Sequence, residues 1–164
     1  MKQDLQSETY EQLFQRFLNC IRNVVARRNI DAAESLIADI QKEWQRRRVC
    51  GDVIRDDDRP EQGLLAALGY HVGHSDGRPA EFRRLVLKLV LEGELPMIHS
   101  ADYMAEWGEP NSSKRFEKLV RVLQNLVDGS RSKPRSKLAV RQWSEDLEWI
   151  QNSYLSDGSG PENA

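Results

Sequence analysis

The sequence predicts an all-α protein, an N-terminal helical hairpin followed by a compact C-terminal helical bundle. Three observations carry that expectation. Apolar residues recur at spacings of three and four through the long segments, the period of one helix face. Glycine, proline and small capping residues fall between those segments, where helices stop and start. No stretch alternates apolar and polar residues as a half-buried strand does.

Residues 7–28 read as the first helix. Tyr10, Leu13, Phe14, Phe17, Leu18, Ile21, Val24 and Val25 share one face. Arg27 and Arg28 suit its C-terminal dipole, and Asn29 suits a left-handed stop. Asp31 then caps a second helix, with Glu34 closing a capping box and Ala33, Ile37, Ile40 and Trp44 facing inward. A short link makes the pair an antiparallel hairpin, residues 1–50. Residues 51–59, with the acidic run Asp56-Asp57-Asp58, read as a linker.

The bundle is expected over residues 60–155. Asp58 and Glu61 would cap a short helix from Pro60 to Leu68 that Gly69 ends. Tyr70 to Gly77 is a loop. Pro79 opens a helix in which Leu85, Val86, Leu87, Leu89, Val90 and Leu91 leave almost no polar side, so it must lie at the centre. Gly93 stops it and Leu95-Pro96 turns the chain. Ser100 caps a short helix ending at Gly108. A helix from about Ser113 to Val127 carries Phe116, Leu119, Val120, Leu123 and Val127, and Asp128-Gly129 ends it. A basic, mobile loop, residues 130–136, leads to a last helix, 137–154, with Val140, Trp143, Leu147, Ile150 and Tyr154. Residues 156–164 read as a disordered tail.

The residues from Leu64 to Tyr154 also carry a string of motifs. These are Leu68-Gly69-Tyr70-His71-Val72-Gly73, Arg83-Arg84-Leu85-Val86-Leu87, Glu94-Leu95-Pro96, Tyr103-Met104-Ala105-Glu106-Trp107-Gly108-Glu109-Pro110-Asn111-Ser112, Arg115, and Trp143-Ser144-Glu145-Asp146-Leu147-Glu148-Trp149-Ile150. Taken together they resemble a helical module of uncharacterised bacterial proteins, some of them linked to phage-defence or mobile-element gene neighbourhoods. The resemblance covers over half the chain and implies no assigned activity, so no catalytic role is carried over. The link from Asp128 to Ser136, with Lys133-Pro134-Arg135, departs from the more basic, Asn-containing stretch expected there. The N-terminal hairpin lies outside the resemblance.

Composition bounds the function. The 164 residues carry a net charge of −2, with 39% hydrophobic and 30% charged residues, the balance of a soluble domain able to bury its own core. No apolar run approaches the roughly 20 residues of a membrane span, and the first residues lack a signal pattern, so the expected compartment is the cytoplasm. Cys20 lies on an apolar stripe and reads as a buried thiol; no disulfide with Cys50 is indicated.

No nucleophile elbow, phosphate-binding loop or dinucleotide fingerprint occurs. His71 and His74 with Asp76 could hold a metal, but a surface loop is the better reading. The expectation is therefore no enzyme, no catalytic residue, no metal and no cofactor. The leading reading is a protein-binding or adaptor protein whose partner is another protein or a second copy. Its interface candidates are Phe14, Phe17, Leu18, Ile21, Val24 and Val25, which are core if the hairpin packs on its own bundle and contact surface if it projects.

The alternative is nucleic-acid binding. Residues 111–141 hold nine basic side chains against two acidic ones, namely Lys114, Arg115, Lys118, Arg121, Arg131, Lys133, Arg135, Lys137 and Arg141. The plain counter-reading pairs them with the acidic last helix, Glu145, Asp146 and Glu148. A helix-turn-helix over Ser100–Ser113 fits poorly, because Glu109, Lys114 and Glu117 fall where apolar residues belong.

Overall fold

The structure, a computed structural model, describes residues 4–52 and 63–156. Among them are seven α-helices and no strand: α1 Tyr10–Val25, α2 Ile30–Val49, α3 Leu64–Ala67, α4 Ala80–Glu92, α5 Ala101–Ala105, α6 Ser113–Ser130 and α7 Lys137–Ser156. The all-α expectation holds. Two hairpins, α1 with α2 and α6 with α7, flank α4, which also touches α3. The expected linker acids, the caps at Asp58 and Glu61 and the tail beyond Ser156 lie outside the described residues.

Several boundaries move for local reasons. α1 begins at Tyr10 because Thr9 and Gln12 form a capping box: Thr9 Oγ1 accepts from the Gln12 amide and Gln12 Oε1 from the Thr9 amide. It ends at Val25, since Arg27 already takes a left-handed φ of 55°. Asn29, also left-handed, sits at the cap of α2 instead of Asp31, and its side chain makes no cap bond. α2 absorbs Arg46, Arg47 and Arg48 because their stems and heads find work there. Arg47 donates to Glu43 at 2.7 Å and to the carbonyls of Glu8 and Leu5, binding the N-terminal turn down. α6 runs through Gly129 to Ser130, and the expected loop after it contains a short 3₁₀ turn, Pro134–Ser136.

The hairpin does not project. Phe17 and Ile21 are fully buried, Phe14 and Phe17 pack on Trp44 with ring centroids 5.9 and 5.1 Å away, and Leu18, Val24 and Val25 are half-buried against the same core. One contiguous cluster runs from Leu5 to Tyr154. Phe17 and Ile21 of that stripe are thus interior, Phe14, Leu18, Val24 and Val25 lie half-buried at its border, and residues 4–50 share a single core with the described part of the bundle.

Gly69 is where the two meet. Its φ of +93° is open to glycine, and a Cβ there would collide with Leu18 Cδ2 on α1 and touch Phe82 on α4. Gly69→Ala should therefore lower stability by about 2–4 kcal/mol, combining backbone strain with overpacking. Adding Leu18→Ala should recover the packing share but not the backbone share, a coupling that a double-mutant cycle by urea unfolding would read.

Candidate functional site

Two buried arginines set the framework. Arg83 on α4 meets Asp146 on α7 through two bonds, Nε at 2.6 Å and Nη2 at 3.2 Å, and its Nη1 donates to the carbonyl of Arg78. Tyr70 donates its hydroxyl to the same carboxylate at 2.9 Å, and burial beside Asp146 pushes that hydroxyl well above the usual tyrosine range. Asp146 is fully buried, so it is not part of an acidic solvated face. The network fastens the Gly69–Arg78 loop to α7, helped by Gln142 accepting from the Gly73 amide. His71 and His74 sit in that loop, and no group of three metal-ligating side chains forms among the described residues.

Arg115, on the first turn of α6, is also buried. Its guanidinium donates to the carbonyls of Trp107, Gly108, Val90 and Gly93, at 2.5 to 3.0 Å. The first two belong to the turn before α6 and the others to the end of α4. Burial pulls its pKa down to about 10, still charged at neutral pH. Arg115 therefore leaves the basic face: it closes helix-end carbonyls that would otherwise be orphaned.

The rest of the basic block is exposed in two groups. Lys114 and Arg121 lie open on α6, and Lys133, Arg135 and Lys137 lie open around the start of α7. Lys118 is mostly covered, pairing with Glu106 at 2.6 Å and lying over the Tyr103 and Trp107 rings. Arg131 stands 3.7 Å from Asp128, and Arg141 3.8 Å from Glu145.

A cleft of about 680 Å³ lies beside Arg115. Leu95, Met97, Ala101, Met104 and Ala105 give it apolar walls. Arg48, Glu109, Ser112 and Lys114 form its polar edge. Each wall has a sequence reason. Leu95-Pro96-Met97 cannot continue α4 past Gly93, and the stretch folds back with Leu95 and Met97 largely buried. Ser100 caps α5 by accepting from the Tyr103 amide, and Ser112 caps α6 by accepting from the Arg115 amide. Gly108, at φ +67°, lets the turn pass against Lys114, whose Cβ lies 3.0 Å from where a Gly108 Cβ would sit. Arg48 reaches in from α2, 3.1 Å from Glu94 and 3.9 Å from Glu109.

Sequence reasoning missed this cleft, because its walls come from α2, the 94–99 stretch, α5 and the α6 turn. The only local sign was the aperiodic apolar stretch after Gly93. Arg115→Ala should leave four carbonyls without their donor and cost about 2–4 kcal/mol. A urea midpoint shifted at constant slope would register it, whereas an unchanged midpoint would contradict the buried geometry. Among the described residues no helix is long and apolar enough to cross a membrane. Comparison with known protein families, with curated proteins and with solved structures finds no match.

Proposed function

We propose that the chain is a non-enzymatic binding or adaptor protein that holds a segment of a partner protein in the cleft between α5 and α6. The supporting observation is an apolar floor, Leu95, Met97 and Met104, set inside a charged edge. Its volume lies within the roughly 300–1,000 Å³ of typical binding clefts. Two thioethers suit such a role, since methionine adapts its shape to differing apolar guests. The resemblance to a bacterial module adds a setting, a defence or mobile-element system. The hairpin stripe does not support this reading, because Phe17 and Ile21 are buried and Phe14, Leu18, Val24 and Val25 pack half-buried against the chain's own core.

The test is selection of a random-peptide phage library on the full chain, with Ala105→Trp as counter-target. Ala105 is exposed on the cleft wall, so the indole fills the cleft without entering the core. Selected peptides should lose at least about tenfold in affinity on Ala105→Trp, about 1.4 kcal/mol, and should shift the methyl signals of Met97 and Met104. A library that returns no such peptide removes the reading.

A second reading, nucleic-acid binding, is supported by the open cations Lys114, Arg121, Lys133, Arg135 and Lys137. It expects weak binding of duplex DNA whose log affinity falls with log salt by about 0.9 per phosphate contacted. Charge reversal at Lys133 and Arg135 should flatten that slope, and no binding at low salt would end this alternative.

A further inference from the structure

The basic block of residues 111–141 divides once each side chain is placed. Arg115 is occupied by four carbonyls inside the fold, and Lys118 by Glu106. Lys114 and Arg121 are open, but Glu117 stands between them on the same face of α6, three and four residues away. The stretch from Arg131 to Arg141 is different. It carries five cations and no acid in eleven residues. Asp128 meets Arg131 at 3.7 Å and Glu145 meets Arg141 at 3.8 Å, too long for hydrogen bonds. Lys133, Arg135 and Lys137 are exposed, and no acid among the described residues pairs with them.

These cations are also held in place. Pro134 fixes the chain at the start of a 3₁₀ turn. The Lys133 amide donates to the Ser130 carbonyl at 3.1 Å, and the Ser136 amide to the Lys133 carbonyl at 3.0 Å. Arg131, Lys133, Arg135 and Lys137 thus lie within about 20 Å of chain at most, a compact charge where α6 gives way to α7. What surrounds them selects among polyanions. A single strand is held by stacking its bases on aromatic rings, and among the described residues no Phe, Tyr or Trp is exposed. A lipid surface is held by cations beside apolar side chains that enter it. The large apolar residues exposed among the described ones are Ile30 and Val49, both on α2 and outside this stretch. A duplex asks for neither feature. It needs only cations at its phosphates, and it presents one charge per about 1.7 Å of axis.

We propose that residues 131–141, the turn between α6 and α7 with the start of α7, bind the phosphate backbone of double-stranded DNA without regard to base sequence. This rests on the nucleic-acid reading above and not on the protein-binding one, and it names the site and the form of the ligand. The open cations of α6 take no part.

The experiment follows a fluorescein-labelled DNA duplex of about 20 base pairs by anisotropy on the full chain, between about 50 and 200 mM salt. Log affinity should fall with log salt at a slope of about −3 to −4.5, from three to five contacted phosphates. The triple variant Lys133→Gln/Arg135→Gln/Lys137→Gln should weaken binding about tenfold or more at the lowest salt and flatten the slope by about 2–3. A second triple, Lys88→Gln/Lys114→Gln/Arg121→Gln, removes the same net charge from exposed residues elsewhere and should stay within about twofold of wild type. Circular dichroism checks that both variants keep their helices. Equal losses in the two triples, or affinities that differ more than about threefold between duplexes of unrelated sequence, overturn this inference and leave the nucleic-acid reading standing. Tighter binding of the single strand, or of an RNA duplex, does the same. No duplex binding at the lowest salt, or tighter binding to phosphatidylglycerol vesicles than to the duplex, refutes both.

Discussion

A helix with apolar side chains on nearly every side cannot be left wet, and the rest of this fold answers that constraint. Phe82, Val86, Leu87, Val90 and Leu91 of α4 are buried, Leu85 and Leu89 half-buried, and only Glu81, Lys88 and Glu92 form an exposed ridge. Covering such a cylinder takes neighbours on several sides. α1, α6, α7 and α3 supply them. The hairpin's apolar stripe, ambiguous in isolation, is consumed by this demand.

Apolar cover alone does not fix how neighbours sit around α4, since greasy contacts are non-directional. The two interior arginines add direction. Arg83 ties α4 to α7 and the glycine loop through Asp146. Arg115 ties the far end of α4 to the turn preceding α6. Neither is an argument for high stability, because removing a guanidinium from water is expensive and its bonds largely offset that expense. Their effect is to penalise alternatives: any packing that parts these groups leaves a cation or several carbonyls buried without partners.

Most of the element order was legible. Gly69 punctuates the chain where a left-handed φ is needed, Ser100 and Ser112 where a capping hydroxyl is needed, and Gly93 where Gln41 comes close to the backbone; the helix faces follow from spacing. The errors cluster where a charged residue stands on a core face. Arg115 precedes Leu119, Leu123 and Val127 at steps of four, Asp146 precedes Ile150 and Tyr154 likewise, and Arg83 precedes Leu87 and Leu91. Reading charge as solvated overrode that period for Arg115 and Asp146, while Arg83 was given no place at all. The opposite signs of Arg83 and Asp146 were a usable clue to pairing. The cleft was not legible, because no single segment forms it and its depth depends on how four separated pieces meet. The first helix starts at Tyr10 and not at residue 7, because Thr9 and Gln12 cap each other there.

The ring of carbonyls around Arg115 has one more consequence. If α5 and its turn swung away from α4, the guanidinium would surrender either the pair of carbonyls in the turn or the pair at the end of α4. Such a motion is steeply uphill, so the backbone around the hollow beside it is held in place. Association there would spend little conformational entropy on ordering the host. What adjustment a guest required would fall to side chains such as Met97 and Met104, while the backbone around the hollow kept its place.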